Sequence, residues 1–232
     1  MAKRSKKYMQ AQEKIQKEFY TLAEACALLP ETAVTKFDST CEIHMNLGID
    51  PKHADQQLRS TVSLPNGTGR EVRVVAFVDE ANAKIAKAAG AVEAGLDELI
   101  EKIEGGWLEF DTAVATPDQM KKLGKIAKIL GQKGLMPNPK SGTVTTEVEQ
   151  TIKEIKKGKV EFRNDKQGNI HNSFGKVSFG SDKLLENAKS FIKAILDHKP
   201  AGVKGSYVNS VTLTTTMGPG VKVLVQDALS DL

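Results

Sequence analysis

The chain has 232 residues, enough for one or two domains with a sizeable core, and its 40% hydrophobic and 27% charged residues describe an ordinary soluble globular protein. A net charge of +4 permits a polyanionic partner without requiring one, and 5% aromatic residues argue against holding single strands mainly by base stacking. Two cysteines with no ligand spacing exclude a disulfide framework and a zinc site, and no apolar run is long enough to span a bilayer.

In chain order, residues 1–20 read as a solvated basic arm, in which Lys3, Arg4, Lys6, Lys7, Lys14 and Lys17 outweigh Glu13 and Glu18. No apolar stretch follows to make it a secretory signal, so the protein is expected in a reducing cytoplasm, with Cys26 and Cys41 as core thiols. Thr21 and Glu24 form a capping box that opens a helix, which is expected to run to about Leu29 and stop at Pro30. From Phe37 to Leu47 the residues alternate. Phe37, Ser39, Cys41, Ile43, Met45 and Leu47 share one face; Asp38, Thr40, Glu42, His44 and Asn46 share the other. That is a strand with one buried side. Asp55–Leu64 is read as extended, and Pro65-Asn66-Gly67-Thr68-Gly69 as a turn.

The pattern then changes. Glu71–Val78 is a nearly continuous apolar run, as in a parallel strand buried on both faces. Helices are predicted over Ala81–Ala89, Leu96–Ile103, from Pro117 to Leu130, and over Glu147–Lys157, with short strands at Ala91-Val92, Thr112–Ala115 and Val144. After Gly158 antiparallel strands return, at Val160–Asp165 and Ile170–Phe179 around a Lys166-Gln167-Gly168-Asn169 turn. A helix at Leu184–Leu196 and a strand from Tyr207 complete the set. The predicted fold is α/β. An α+β outer domain (1–67 and 160–232) has an antiparallel sheet in a split β-α-β layout, and it carries an inserted three-layer, Rossmann-like α/β domain (68–159). Glycine-bearing crossings near residues 67–69 and 157–159 suit a hinge.

The last strand is unusual in its polar face. Val211, Leu213, Thr215 and Met217 are expected toward the core, while Ser210, Thr212, Thr214 and Thr216 form a row of small hydroxyls that ends at Gly218-Pro219-Gly220. Such a face suits the 2′-hydroxyls and phosphates of folded RNA; taken alone it equally fits a solvated Thr-rich strand. With the strands paired as predicted, the same face gathers Thr40, Glu42, Arg163 and His171, with Lys36 and Lys166 at its margins for phosphates.

Three segments resemble one family. Thr214-Thr215-Thr216-Met217-Gly218-Pro219, Lys36-Phe37-Asp38-Ser39-Thr40-Cys41-Glu42 and Gly134-Leu135-Met136-Pro137-Asn138-Pro139-Lys140 are similar to signatures of the ribosomal protein L-one family, in the same order along the whole chain. The resemblance implies binding of large-subunit ribosomal RNA, a mobile stalk beside the exit site, and help in releasing deacylated tRNA. It also implies repression of translation through a leader in the protein's own messenger. It implies Phe37, Thr40, Glu42, Ser210, Thr216, Met217 and Gly218 as core RNA contacts, with Lys36, Asp165, Lys166, Gly168 and His171 beside them, and a protein that is monomeric away from the ribosome. No cofactor, metal or membrane is implied. Gly134–Lys140 reads as a rigid Pro-bracketed loop with no assigned role.

Two other classes compete. An α/β small-molecule enzyme would use the inserted domain, but no G-x-G-x-x-G follows its first strand and no G-x-x-x-x-G-K-[ST] occurs. The Ser190-Phe191-Ile192-Lys193 match to S-x-x-K falls on a core stripe, and the four histidines lie in separate elements. An RNA-binding regulator that never joins a ribosome is the third reading, and sedimentation with large subunits separates it from the first.

Overall fold

The computed structural model describes residues 5–203 and 205–230. The elements in order are α1 (Lys6–Glu13), α2 (Leu22–Thr32), β1 (Thr40–Leu47), β2 (Arg59–Ser63), β3 (Val74–Phe77), α3 (Glu80–Ala88), β4 (Glu93–Gly95), α4 (Asp97–Glu104), β5 (Thr112–Ala115), α5 (Ala127–Lys133), α6 (Val148–Lys157), β6 (Lys159–Arg163), β7 (Asn169–Lys176), α7 (Ser181–Asp197), β8 (Val208–Thr215), β9 (Val221–Val223) and α8 (Val225–Ser230). They form two compact units, one built from residues 1–69 and 160–232, the other from the single stretch 70–159.

The first unit holds a four-stranded antiparallel sheet in the order β7-β1-β8-β9. Strict alternation in β1 buries Cys41, Ile43, Met45 and Leu47, and in β8 it buries Val211, Leu213 and Thr215. That side is covered by α2 and α7, whose Leu22, Cys26, Leu29, Leu184, Phe191 and Ile195 join the same core. Burial pushes the Cys26 and Cys41 thiols up to about 12, so both are inert core groups. Buried Asn187 on α7 ties the turn after β2 to the sheet. Its Nδ2 donates to the carbonyls of Gly67 (2.9 Å) and Phe174 (2.8 Å), and its Oδ1 accepts from Asn66 N–H at 3.0 Å.

The second unit is a three-stranded parallel sheet, β4-β3-β5, in which β3 and most of β5 are buried on both sides while edge strand β4 is partly exposed. Val75, Phe77, Ala113 and Ala115 face the cluster of Leu99, Ile103, Leu123 and Ile126. Val74, Ala76, Val78 and Val114 face the opposite cluster of Ala86, Ile152 and Ile155. Asp79 caps α3 at the end of β3, its Oδ1 accepting from Asn82 Nδ2 at 2.8 Å. Among the described residues no helix is long and apolar enough to cross a membrane.

Several boundaries differ from the sequence reading. The basic arm contains α1, whose Ala11 is buried; Lys3 and Arg4 lie outside the described residues. Pro30 does not end α2, which continues to Thr32. Pro30 sits in the last turn, and the Thr32 hydroxyl donates to the carbonyls of Leu28 and Leu29, adding a side-chain bond at the helix end. The capping box at Thr21 and Glu24 is present. The β3 strand is shorter than the apolar run that foretold it, and the short strand expected at Ala91-Val92 lies at Glu93–Gly95. The helix expected from Pro117 divides into a 3-10 stretch, Pro117–Lys125, followed by α5. Part of Asp55–Leu64 is likewise a 3-10 turn, at Ala54–Gln56, and the expected strand to Phe179 ends in another at Val177–Phe179. Neither β9 nor α8 was foreseen.

Candidate nucleic-acid interface

The sheet of the first unit has a side that its own helices leave uncovered, and the registers fix what stands there. Glu42 lies between Ser173 and Thr214, His44 between His171 and Thr212, and Asn46 between Asn169 and Ser210. Lys222 of β9 extends the histidine row beyond Thr212. Thr40 lies opposite Lys176, whose Nζ donates to the Thr40 hydroxyl at 3.2 Å. Among the described residues the hydroxyls of Ser210 and Thr212 make no hydrogen bond to protein, so their capacity is open to a partner.

Other hydroxyls of the row are engaged. The Thr214 hydroxyl is within hydrogen-bond reach of the carbonyls of Thr215, Gly218 and Pro219, at 3.2, 3.2 and 3.3 Å. Thr216 clips the end of β8 to the start of β1. Its N–H donates to the Thr40 carbonyl at 2.9 Å, and its hydroxyl accepts from Thr40 N–H at 3.1 Å. The following Gly218 has an ordinary backbone but no room. A Cβ there would stand 2.3 Å from the Thr215 hydroxyl and 3.2 Å from the carbonyls of Thr215 and Thr32. Gly218 is thus first a packing requirement of the turn.

Alternation had placed Phe37 and Met217 toward the core, and the structure overturns both. The strand starts at Thr40, because the Thr35 hydroxyl donates to the Phe37 carbonyl at 3.0 Å and bonds the Ser39 hydroxyl, folding 35–39 into a turn. Phe37 is 62% exposed. Met217 takes the left-handed region with φ 63° and is 75% exposed, so the turn turns its side chain outward. Both large apolar groups stand within three residues of the Thr40–Thr216 clip. Lys36 is exposed beside them, and Asp38 accepts from Ser178 N–H (3.0 Å) and Oγ (2.8 Å).

Arg163 does not stand on this sheet. It ends β6, which pairs with β2 in a separate two-stranded sheet, because the chain turns at Asn164 and bonds Leu58 there. Past it, the turn before β7 is built on Asp165, whose Oδ1 accepts from the amides of Gln167 and Asn169, both at 2.8 Å. Burial would push Asp165 up, but those amides, the Asn169 side chain and nearby His171 hold it below the usual carboxylate value. Gly168 is buried with φ 79°, its carbonyl accepting from Leu47 N–H at 2.9 Å. Asp165 and Gly168 therefore shape the turn that presents Lys166. His44 is held below its ordinary value by burial and then by His171, against an opposing pull from Glu42.

His44, Asn46, Lys176 and Lys222 were not among the predicted contacts. His44 and Asn46 were legible from the alternation of β1. Lys222 needed the pairing of β9, which no local pattern announces.

Residues 29–219 match the family described as "Ribosomal protein L1p/L10e family". The chain belongs to that family. The chain is 53% identical to the protein named "Large ribosomal subunit protein uL1" of Saccharopolyspora erythraea, over 96% of this chain and 94% of that one. It is also 53% identical to the protein of the same name from Salinispora arenicola, over 94% of this chain and 92% of that one. The family is one of ribosomal proteins, not of enzymes.

Proposed function

We propose that the chain is a large-subunit ribosomal protein that binds folded ribosomal RNA on the uncovered side of its four-stranded sheet. On this reading the first unit is the RNA-binding domain and the second an insertion in it. Contacts run along Thr40, Glu42, His171, Ser210, Thr212 and Thr214 to the turn at Thr216-Met217-Gly218, with Lys36 and Lys166 on phosphates. The observation that carries the reading is a sheet side with two open hydroxyls, Ser210 and Thr212, bounded by exposed Phe37 and Met217. Small polar groups admit a ribose-phosphate backbone closely, and the exposed Phe37 ring can lie on a ribose or base at the edge.

The stalk role near the tRNA exit site, release of deacylated tRNA, repression of the protein's own messenger and a cytoplasmic, ribosome-bound location belong to the same proposal. They rest on the resemblance to the family, whose relatives are named only as large-subunit ribosomal proteins. The test is to sediment cell extract and crosslink the protein to its RNA. The protein should travel with large subunits, and the sequenced RNA should be one folded region of large-subunit RNA, with a messenger leader of similar fold as a second target. Protein found only at the top of the gradient, bound to unrelated RNA, would favour a non-ribosomal regulator.

A further inference from the structure

On the uncovered side of the sheet, His44 of β1 and His171 of β7 stand directly opposite each other with their Nδ1 atoms 2.9 Å apart. The rings are tilted by 58° with centroids 5.0 Å apart, so nitrogen edges meet rather than ring faces. Behind each ring stands a carboxylate. Glu42 Oε2 is 3.6 Å from His44 Nε2, and Asp165 Oδ2 is 3.6 Å from His171 Nε2. These distances are long for hydrogen bonds, but each carboxylate favours a proton on the nitrogen that faces it. With both Nε2 atoms protonated, both Nδ1 atoms aim bare lone pairs at one point. Two lone pairs at that separation repel unless a cation lies between them. Converging imidazole nitrogens, each ring backed by a carboxylate, are the arrangement in which proteins hold transition metals. We propose that His44 and His171 form a two-histidine site for a divalent transition metal of the copper or nickel type.

The separation selects among metals. With metal–nitrogen bonds of about 2.0–2.1 Å, nitrogens this close subtend about 90° at the metal, whereas a tetrahedral site needs them about 3.3 Å apart. A right angle is the cis arrangement of tetragonal Cu(II) or of square and octahedral Ni(II). Among the described residues no group of three or more His, Cys, Asp and Glu is placed to hold a metal, so water fills the remaining positions. The site is therefore open and weaker than a closed one. A metal binds only imidazole nitrogens that carry no proton, so uptake competes with protons and weakens in acid.

The test is titration of the full chain, stripped with a chelator, with Cu(II) near neutral pH, followed by calorimetry and electron paramagnetic resonance. One site of moderate affinity with two equatorial imidazole nitrogens is expected. His44→Gln and His171→Gln should each weaken it at least about tenfold. His53→Gln and His198→Gln, the other two histidines of the chain, should leave it unchanged. If His44→Gln fails to fold by circular dichroism, His171→Gln decides, because its side chain is 55% exposed against 31% for His44. Undiminished binding in the folded variants, or a spectrum with fewer than two imidazole nitrogens, would overturn the site and leave the pair as a hydrogen bond between two imidazoles.

Discussion

The two sheets of this protein solve the same burial problem in opposite ways. The parallel sheet of the second unit spends both faces on its own helices, Val75 and Phe77 looking one way, Val74 and Ala76 the other. The antiparallel sheet of the first unit spends one. Ile43, Met45 and Leu213 are fully packed, while Glu42, His44 and Thr212 on the same strands stay partly exposed. A fully apolar strand can only be structural, because any partner would have to displace core. An alternating strand keeps a second face free for function. A bare sheet side is a better candidate for an interface than the nucleotide-site reputation of parallel α/β sheets.

The largest expected effect separates the two sheets outright. Phe77→Ala should cost about 3–5 kcal/mol in the second unit, since Phe77 is fully buried in its core. The only tryptophan, Trp107, packs on that cluster, so its fluorescence in a urea titration reports this unit. RNA affinity should survive. Phe191→Ala, in the core of the first unit, should cost a similar amount and take RNA binding with it. Loss of RNA binding in Phe77→Ala would mean that the second unit takes part in holding RNA.

A smaller effect is expected at the turn that closes β8. Gly218→Val forces a side chain against the Thr215 hydroxyl and two carbonyls, at a cost of about 1–3 kcal/mol. Its melting temperature and its RNA affinity should fall together. Smaller still is the change in stability for Thr212→Val, within about 0.5 kcal/mol, because that hydroxyl makes no hydrogen bond among the described residues. RNA binding should nevertheless weaken by roughly 1–3 kcal/mol if a partner group is left unpaired. An unchanged affinity would make this a solvated face after all.

The smallest expected effect is on pH. His44 titrates below its ordinary value of 6.5 in the folded chain, so on acidification the unfolded chain takes up its proton first. Its contribution to stability is whole above about 6.5 and is lost as pH falls from there through the lowered value. Chemical denaturation of wild type and His44→Gln across that window checks it. The variant should show the shallower decline.

Much of the fold was legible because alternation and apolar runs speak directly of burial. Cys41 through Leu47 and Val211 through Thr215 could be assigned to faces residue by residue, and Thr112–Ala115 to a doubly buried strand. The misreadings sit where tertiary hydrogen bonds override the pattern. Phe37 continues the alternation on paper, but the hydroxyl of Thr35 turns the chain before it. Met217 continues it too, until the left-handed turn sends the side chain out. Arg163 was assigned by its own alternation to a sheet that its strand does not join, since strand partners are set by distant residues such as Leu58. The histidine pair was hidden for the same reason. His44 and His171 are separated by 127 positions in sequence and meet only through register.

Irradiating the full chain bound to large-subunit ribosomal RNA, and locating the crosslinked peptides by mass spectrometry, tests directly whether RNA lies on this side of the sheet. Adducts should concentrate in the segments 36–46, 165–173 and 208–218, with Phe37 and Met217 prominent. Adducts confined to residues 70–159, with the face of β1 and β8 unmarked, would contradict it.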